Sequence, residues 1–457
     1  MGSTPLVVGL DRTDPRPLGG QLADQVRDRI TGGVLPPGVR LPSSRALAAD
    51  LGVSRSVTAQ AYEQLVAEGW LEGRHGSGTY VAPVVQHAHR TRRRRSAPPR
   101  PRPLVRLDAG TPWIDPRYAA AWRRAWRDVS TATPPRGYED PRGLPELRAA
   151  LADQLARTRG LACDADEIVV TAGTVDGLRQ VLNVLPPGPV AHEDPGYRAA
   201  AETILAAGRE LRDLPALEPV RDLTGAVAAY VTPAHQHPLG PVMSGTDRLT
   251  LLAAARAADA VVFEDDYDSE FRYDVAPVPA LATLDRDRVA YLGTASKSVA
   301  PSMRLGWLVP PPQLLDRVNR LRAKTHDTAP WPVQRAFLSL LRDGYVDKVV
   351  RSARRTYAAR APRVAAALAP YGEIAGPVAG MYATVLMSPG RARAAQRSAR
   401  AAGFDVPLLA DYCRTARLGG LIVGFGGCTD EELNAALAAL TAPLTRRLPS
   451  QDGDDRT

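Results

Sequence analysis

The sequence predicts a multidomain chain, with an N-terminal α+β winged helix-turn-helix followed by a large α/β domain. Its length of 457 residues exceeds that of one ordinary domain. The first eighty residues are patterned as three short helices and a hairpin. After Val105, apolar strands alternate with helices, which is typical of a mostly parallel sheet.

Composition narrows the class of protein further. With 44% hydrophobic and 23% charged residues, the chain is predicted to be soluble and globular. It has no apolar run as long as a membrane span and no signal-peptide pattern, so we expect no membrane association. Three scattered cysteines form no metal-spaced pair. This indicates a reduced, cytoplasmic setting and no metal site.

Positive charge is concentrated between the N-terminal region of helices and hairpin and the later region in which strands alternate with helices. Of the net charge of +9, eight units come from arginines within residues 87–106, a stretch with no acidic residue. Such a run can bind the phosphates of double-stranded DNA by releasing counterions, and it can equally be a solvated linker. The predicted boundaries are a winged helix at 1–82, a basic linker at 83–106, the large domain at 107–449 and a polar tail at 450–457.

The N-terminal region has the elements of a DNA-reading domain. Apolar spacing predicts helices over 21–31, after a Ser43 cap, and after a Ser54 cap, followed by a hairpin wing over 70–81. In a helix-turn-helix, polar residues near the start of the second helix face base edges. Those positions hold Arg55, Ser56 and Thr58, and Arg55 could contact a guanine with two hydrogen bonds.

A family resemblance strengthens this interpretation. The stretch RLPSSRALAADLGVSRSVTAQAYEQLVAEGWLEGRHGSGTYV, residues 40–81, resembles the winged helix of GntR-family transcription regulators. The resemblance implies DNA contacts from Arg40, Arg45, Arg55, Ser56, His75 and Gly76. Ala59 stands where some members carry a further base-contacting arginine, so the DNA sequence that is read does not carry over.

Lys297 is the main candidate for chemistry in the large domain. The chain has three lysines against 55 arginines, so a retained lysine is a candidate for work that arginine cannot do. A lysine amine can lose its proton and form a Schiff base, whereas guanidinium cannot. Thr294 and Ser296 flank Lys297, and Arg304 follows. Small donors and an arginine beside such a lysine suit pyridoxal phosphate.

Several strand ends are predicted to converge on this lysine. Because ligands of open α/β sheets bind beyond the carboxyl ends of strands, the turns after these strands should form one site. The predicted strands are residues 168–170, 189–191, 227–231, 260–263 and 289–292.

The turns offer the groups that the cofactor needs. Asp265 can pair with the pyridine nitrogen, and Tyr267 can hydrogen-bond the phenolic oxygen. Gly173 and Thr174 open a helix whose N-terminus can meet the phosphate. Tyr197 offers an aromatic face for stacking on the ring. Each residue alone is more often structural, but five such turns together make coincidence improbable.

The large domain resembles the fold-type I, aspartate-aminotransferase-like domain. The stretches YEDPRGLPELR, YVTPAHQHPLG, EDDYDSEFRY and GTASKSVAPSMRLG resemble the MocR subfamily of GntR regulators. This implies an internal aldimine at Lys297, Asp265 at the pyridine nitrogen, and Tyr197 as stacking partner. It also implies Gln236 and Tyr267 near the phenolic oxygen, with Thr174, Ser296 and Arg304 around the phosphate. Tyr138 would reach the phosphate of the partner subunit in a homodimer.

Departures from the subfamily limit what carries over. Asp176 places an acid close to the expected phosphate, and His237 and Leu239 replace the usual Phe and Thr. Ordinary aminotransferases bind the substrate carboxylate through an arginine in the last strand. Residues 421–425 contain none, and Arg414 and Arg417 lie earlier. An unfamiliar effector, or one that is not an α-amino acid, is therefore expected, and the candidates are pyridoxal phosphate, an amine or an amino acid.

Three hypotheses follow for the whole chain. The first is a transcription regulator whose large domain senses pyridoxal phosphate, an amine or an amino acid through Lys297 and changes DNA binding. The second is an active aminotransferase that carries a DNA-binding domain. The third, a dimerisation scaffold that has lost its chemistry, is disfavoured by the retained lysine. The first is adopted, with residual transamination left open.

Overall fold

The structure is a computed structural model that describes residues 6–74, 77–83, 103–273 and 278–445. The chain divides into two compact units, Met1–Pro101 and Arg102–Thr457. Across the described ranges, no helix is both long and apolar enough to cross a membrane.

The first unit is a winged helix-turn-helix, as the sequence predicts. Its helices are α1 (Leu18–Thr31), α2 (Ser44–Leu51) and α3 (Arg55–Ala67), and its strands are β1 (Leu71–Arg74) and β2 (Gly78–Val81). The strands pair antiparallel, with Leu71 opposite Val81. Leu22 and Val26 of α1 pack with Leu65 of α3 in a buried core. Apolar positions four residues apart thus form one packed face of each helix.

The turn between α2 and α3 is held by local contacts. Ser43 caps α2 by accepting a hydrogen bond from the Ala46 N–H at 3.1 Å. Gly52 ends the helix at a φ of 62°, a conformation that costs glycine little. Ser54 is the N-cap residue of α3, as predicted, but its side chain makes no capping hydrogen bond to the backbone. Its hydroxyl instead bonds the Ser56 hydroxyl at 2.7 Å.

The second unit begins inside the predicted linker. Residues 105–106 form β3 (Val105–Arg106), which pairs in parallel with residues 404–405. The Val105 N–H donates to the Gly403 carbonyl and the Leu107 N–H to the Asp405 carbonyl, both at 2.9 Å. The predicted linker end at residue 106 is therefore too late, because these two residues are hydrogen-bonded into a sheet.

A seven-stranded sheet forms the centre of this unit. Its strands are β4 (Val169–Thr171), β5 (Val190–Asp194), β6 (Leu211–Pro215), β7 (Ala228–Val231), β8 (Val261–Asp266), β9 (Val289–Thr294) and β10 (Gly306–Val309). Their order is β4-β10-β9-β8-β7-β5-β6. Only the pairings of β10 are antiparallel. All five predicted strands are present in this one sheet.

Helices cover both faces of the sheet. One face carries α4 (Ala119–Thr131), α5 (Pro145–Arg159), α8 (Gly245–Ala257) and α10 (Trp331–Arg342), and the other carries α6 (Thr174–Leu182), α7 (Arg198–Ala206) and α9 (Pro312–Thr325). Successive strand residues enter opposite cores, as Val262 and Phe263 do. Burial on both faces explains why the strands are continuous apolar runs.

A smaller sheet forms the C-terminal part. It contains β11 (Glu373–Ile374), β12 (Tyr382–Leu386) and β14 (Gly420–Gly424), all antiparallel, while β13 (Phe404–Asp405) is the partner of β3. Its core is shared with α11 (Tyr345–Leu368), α12 (Pro389–Ala401) and α13 (Asp430–Thr441). This sheet brings Tyr382 to the same region as the carboxyl ends of the large sheet, where Tyr382 contacts Tyr267.

Candidate cofactor site and DNA-reading face

Lys297 lies just beyond the end of β9. Its Nζ donates a hydrogen bond to the Gly110 carbonyl at 2.8 Å. Burial lowers the pKa of Lys297, while the charges of Asp108, Asp268 and Asp265 oppose that shift. A lowered pKa increases the fraction of neutral amine, which is the form that attacks a carbonyl.

Asp265, near the end of β8, is buried with one oxygen unused. Its Oδ2 accepts a hydrogen bond from the Tyr230 hydroxyl. Its Oδ1 is buried and has no hydrogen-bond partner among the described residues. Burial raises the pKa of Asp265 to about 7. A buried carboxylate oxygen of this kind would be satisfied by an N–H donor, which a protonated pyridine nitrogen supplies.

Backbone and a guanidinium form a cradle at the start of α6. Gly173 has a φ of 120°, and a Cβ added there would lie 3.5 Å from the Arg304 guanidinium. Arg304 is exposed and has no ion-pair partner within the described ranges. Ser296 accepts a hydrogen bond from the Thr294 hydroxyl at 2.9 Å. A helix N-terminus beside an unpaired arginine suits a phosphate group.

Asp176, whose charge was expected to repel a phosphate in this cradle, forms hydrogen bonds with other groups. The Asp176 carboxylate accepts the Ala172 N–H at 2.9 Å and the Arg179 guanidinium at 2.6 Å. Its charge is therefore paired with that of Arg179 at 2.6 Å. Thr174 is the first residue of α6, and its side chain lowers the pKa of the nearby Asp265 carboxyl group, against the larger rise caused by burial.

Tyr197 immediately precedes α7 and is half-buried. Burial raises its pKa to about 12, and the charge of Asp265 adds to that rise. Tyr197 therefore lies near the carboxylate proposed for the pyridine nitrogen, as a stacking partner would.

The two residues predicted for the phenolic oxygen have other partners. The Tyr267 hydroxyl bonds the His235 carbonyl at 3.0 Å and the Tyr382 hydroxyl at 2.9 Å. The Gln236 amide donates to the Pro195 and His237 carbonyls, at 3.0 and 2.9 Å. Gln236 therefore holds the turn after β7, and a contact with the phenolic oxygen would require these bonds to be exchanged.

Sequence reasoning missed a cluster of rings at this site. His237 makes edge contacts with four tyrosine rings at centroid distances of 5.3–5.7 Å, namely Tyr197, Tyr267, Tyr382 and Tyr412. In the sequence, His237 is visible only as a departure from the subfamily, with no pattern that indicates a role. Tyr382 and Tyr412 lie far along the chain in no recognisable motif, so only the fold could place them.

The last strand contains no arginine that could bind a carboxylate at residues 421–425. Its first residue, Gly420, leaves no room for a side chain, because an added Cβ would lie 2.2 Å from the Val385 carbonyl oxygen. The Arg414 guanidinium is paired with Asp213 at 2.8 Å. Arg417 is exposed. The absence of this arginine from residues 421–425 is therefore not compensated by Arg414.

Tyr138 is not brought to this site within one chain. Its side chain is 84% exposed, and its ring stacks on His326 at 4.1 Å. Its predicted role in a partner subunit stays a prediction. Among the described residues, no group of three or more His, Cys, Asp or Glu side chains could hold a metal.

In the first unit, most of the residues predicted to read DNA are exposed. Arg55 is the first residue of α3, and Ser56 follows it. Arg40 and Arg45 are also exposed, and the Arg40 guanidinium lies 3.0 Å from where a Cβ on Gly78 would stand. Arg40 therefore lies against the wing. The predicted wing contacts His75 and Gly76 lie outside the described residues.

Thr58 does not belong to the DNA-reading face. It is fully buried, and its hydroxyl donates to the Ser44 carbonyl at 2.8 Å and to the Arg55 carbonyl at 3.0 Å. Three residues after Arg55 on a helix, it lies on the side of α3 that packs against α2. The prediction that Thr58 contacts DNA is wrong.

Comparison with known proteins agrees with both units. Bacterial regulatory proteins of the gntR family match residues 18–81, and aminotransferase class I and II matches residues 103–440. The large unit shares its fold with an archaeal alanine:glyoxylate aminotransferase, with a TM-score of 0.67 at 23% identity over 75% of this chain and 90% of that one.

Two relatives resemble most of the chain. The pyridoxine biosynthesis transcriptional regulator PdxR of Corynebacterium glutamicum is 33% identical over 95% of this chain and 98% of that protein. The probable rhizopine catabolism regulatory protein MocR of Rhizobium meliloti is 35% identical over 77% of each. The chain therefore belongs to the MocR subfamily of GntR-type transcription regulators, in which a winged helix-turn-helix is joined to an aminotransferase class I and II domain.

Proposed function

We propose that this regulator binds pyridoxal phosphate at Lys297 and adjusts its hold on DNA according to the state of that site. The observation that carries the proposal is that the neighbouring strands β8 and β9 bring two groups to the same edge of the sheet: Lys297, a partly buried amine, and Asp265, a buried carboxylate that has an unused oxygen. The two lie close enough for the charge of Asp265 to affect the pKa of the lysine.

Each group of the cofactor has a counterpart among the described residues. Asp265 would accept from the pyridine nitrogen, Tyr197 would stack on the ring, and Gly173, Thr174 and Arg304 would hold the phosphate, with Ser296 beside them. A bound pyridoxal phosphate would supply an aldehyde with which the Lys297 amine, or a primary amine that takes its place, could condense. Lys297 would hold the cofactor through Nζ, which now donates to the Gly110 carbonyl at 2.8 Å.

The effector is proposed to be pyridoxal phosphate itself or an amine or amino acid that exchanges at Lys297. The name of the Corynebacterium relative links that protein to pyridoxine biosynthesis, which favours the cofactor as a signal. The name of the Rhizobium relative refers instead to rhizopine catabolism. The absence of an arginine from residues 421–425 disfavours an ordinary α-amino acid, because its carboxylate would lack the usual partner.

We propose a sensor rather than an enzyme, because the chain lacks the arginine that would hold a substrate carboxylate. Efficient transamination needs the substrate carboxylate to be fixed while the amine reacts. The second candidate, an aminotransferase with a DNA-binding domain, is favoured by the presence of each cofactor counterpart. Turnover of an amino donor by the purified protein would support it.

The proposal also includes a homodimer on double-stranded DNA. A helix-turn-helix commonly binds paired half-sites as a dimer. The exposed ring of Tyr138 is available to a partner subunit. The proposed domain limits are residues 1–82 for the winged helix, 105–449 for the large domain and 450–457 for the polar tail, with a linker that ends before residue 105.

Replacing Lys297 tests the cofactor assignment. With Lys297→Ala, the absorbance of lysine-bound pyridoxal phosphate, measured on the purified protein after dialysis, is expected to disappear, because no other partly buried amine lies beside Asp265 in the described part of the chain. Lys324→Ala is the matched control, since Lys324 is exposed on α9. Retention of the band in Lys297→Ala, or its absence from the wild type, would contradict the assignment.

A further inference from the structure

The N-terminal segment, residues 6–17, runs along α1 and is held there by two glutamines of that helix. The Gln21 side chain accepts a hydrogen bond from the Asp11 N–H at 2.9 Å and donates one to the Asp11 carbonyl at 3.0 Å. The Gln25 side chain accepts from the Gly9 N–H at 3.1 Å. Apolar side chains of the segment pack against the core of the unit, namely Leu6, Val8 and Leu10. These contacts fix the path of a segment that contains no helix or strand.

The end of this segment lies beside α3. The start of α1 packs against the first turns of α3, because a Cβ added to Gly19 would lie 3.5 Å from the Val57 carbonyl oxygen and 3.6 Å from the Gln60 side-chain oxygen. Gln21 also donates to the Arg16 carbonyl at 2.9 Å, which holds the last residues of the segment at this end of α1. The N-terminal segment therefore reaches the helix that reads DNA.

Arg12 links the segment to the turn between α2 and α3. Its guanidinium donates a hydrogen bond to the Gly52 carbonyl at 2.9 Å. Gly52 is the third residue before Arg55, so the Cα atoms of these two residues are at most about 12 Å apart. Gly52, Ser54 and Arg55 are all exposed. Arg12 thus lies next to the exposed start of α3.

The positive charge of Arg12 is not paired with an acid. Of the two arginines in the segment, Arg16 forms an ion pair with Asp14 at 2.7 Å. Asp11 uses its Oδ1 to accept the Thr13 N–H at 2.8 Å and the Thr13 hydroxyl at 2.6 Å. Arg12 is exposed and has no carboxylate partner within the described residues, where its one hydrogen bond is to Gly52. Four of its five N–H donors are therefore available to a ligand.

A phosphate of the DNA backbone suits this position. In a helix-turn-helix, the first residues of the second helix face base edges in the major groove. Phosphates of both strands border that groove, with one negative charge per about 1.7 Å of duplex. A guanidinium beside the start of the helix meets these phosphates, and its planar fork can bond two phosphate oxygens. Holding the Gly52 carbonyl alone would need one donor and no charge.

We propose that Arg12 contacts a backbone phosphate of the bound duplex. The inference adds the N-terminal segment to the DNA-binding surface formed by α2, α3 and the wing, and it does not depend on the cofactor site. A phosphate contact positions the protein and adds affinity for every sequence, without preference among them.

Replacing Arg12 by glutamine separates a phosphate contact from a structural one, because glutamine loses the charge but keeps a donor for the Gly52 carbonyl. The full chain, without added pyridoxal phosphate, is titrated by fluorescence anisotropy onto the DNA upstream of its own gene and onto a shuffled duplex of equal length. Arg12→Gln should weaken binding to both duplexes by a similar factor, about threefold to tenfold at one salt concentration. The slope of log affinity against log salt should become shallower by about one. Arg12→Lys, which keeps the charge, should keep the slope.

Arg16→Ala is the matched control, because the Arg16 guanidinium is already paired with Asp14. Its affinities and salt slope should equal those of the wild type. An equal loss in Arg16→Ala would assign the effect to overall charge, and wild-type affinity and slope in Arg12→Gln would show that Arg12 touches no phosphate. A loss confined to the upstream DNA would assign Arg12 to base reading instead. A lower urea midpoint with an unchanged slope would assign it to the stability of the segment alone, and each of these four results would overturn the inference.

Discussion

At the scale of single residues, Asp265 is where stability and cofactor binding oppose each other. The carboxyl group is buried, has an unused oxygen and has a pKa of about 7 because of burial. The unfolded chain holds an ordinary aspartate with a pKa near 4. Between roughly pH 4 and pH 7 the folded protein binds more protons than the unfolded chain, so stability contributed by this group falls as pH rises.

Asp265→Asn is expected to separate the two effects. Above about pH 7 the apo variant should be more stable than wild type towards urea, and the difference should vanish below about pH 4, where the wild-type carboxyl is protonated. Affinity for pyridoxal phosphate should fall by roughly tenfold to a hundredfold, because a charge-assisted hydrogen bond is lost. Urea unfolding at several pH values and absorbance titration measure these quantities.

If apo Asp265→Asn is less stable than wild type at pH 8, the predicted gain in stability is contradicted. If its affinity for pyridoxal phosphate is unchanged, the predicted role of Asp265 in cofactor binding is contradicted. Glu193 and Glu264 are also buried, with burial raising each pKa to about 7. The Asp265→Asn variant should therefore keep part of the pH dependence of stability that the wild type shows. The effect of Asp265 is the difference in stability between the two proteins at each pH.

At the scale of elements, α3 presents two faces with different tasks. Arg55 is exposed at its start, whereas Thr58 is buried against α2 and donates to the Ser44 carbonyl. A residue on the first face should affect DNA binding, and one on the second should affect folding.

Two substitutions in α3 test this division. Arg55→Ala should change the free energy of unfolding by no more than about 0.5 kcal/mol and weaken specific DNA binding by about 1–3 kcal/mol. Thr58→Val should lower the free energy of unfolding by about 1–2 kcal/mol, because a buried carbonyl loses its donor, and the folded variant should bind DNA normally. Urea unfolding and fluorescence anisotropy at fixed salt distinguish them. Equal effects of both substitutions on both measurements would undo the assignment of faces.

The elements also show how far sequence patterns reach. The five strands were predictable because burial on both faces makes each an apolar run ending in a polar turn. β6 was missed because Leu211–Pro215 contains two adjacent charged residues, Arg212 and Asp213, which interrupt the apolar run, and because it lies at the edge of the sheet. β10 was missed because it is a short strand that returns antiparallel immediately after the lysine loop.

The site was predictable only where its residues lie next to strand ends. Lys297, Asp265, Thr174 and Tyr197 follow such ends, and the structure brings them to one region. The sequence does not predict the partners of Gln236 or the tyrosines around His237. These contacts join distant parts of the chain, and the spacing of apolar residues carries no information about them. The burial of Thr58 was missed because its place depends on the packing of α3 against α2.

At the scale of the whole molecule, the central claim is that the state of Lys297 changes how the winged helix holds DNA. A ligand can do this only if it binds two conformations with different affinities. The effect must therefore be visible as a change in DNA affinity that depends on the lysine. Cofactor binding alone would not establish it.

The decisive measurement is the affinity of the purified full chain for the DNA upstream of its own gene, titrated with and without pyridoxal phosphate at one salt concentration. We expect a change of several-fold in wild type and none in Lys297→Ala, which should bind DNA as the apo wild type does. If the vitamer has no effect, the same titration with primary amines added to the holo protein tests the second class of effector. Equal DNA affinity in all these states, while absorbance shows that Lys297 is occupied, would contradict the account.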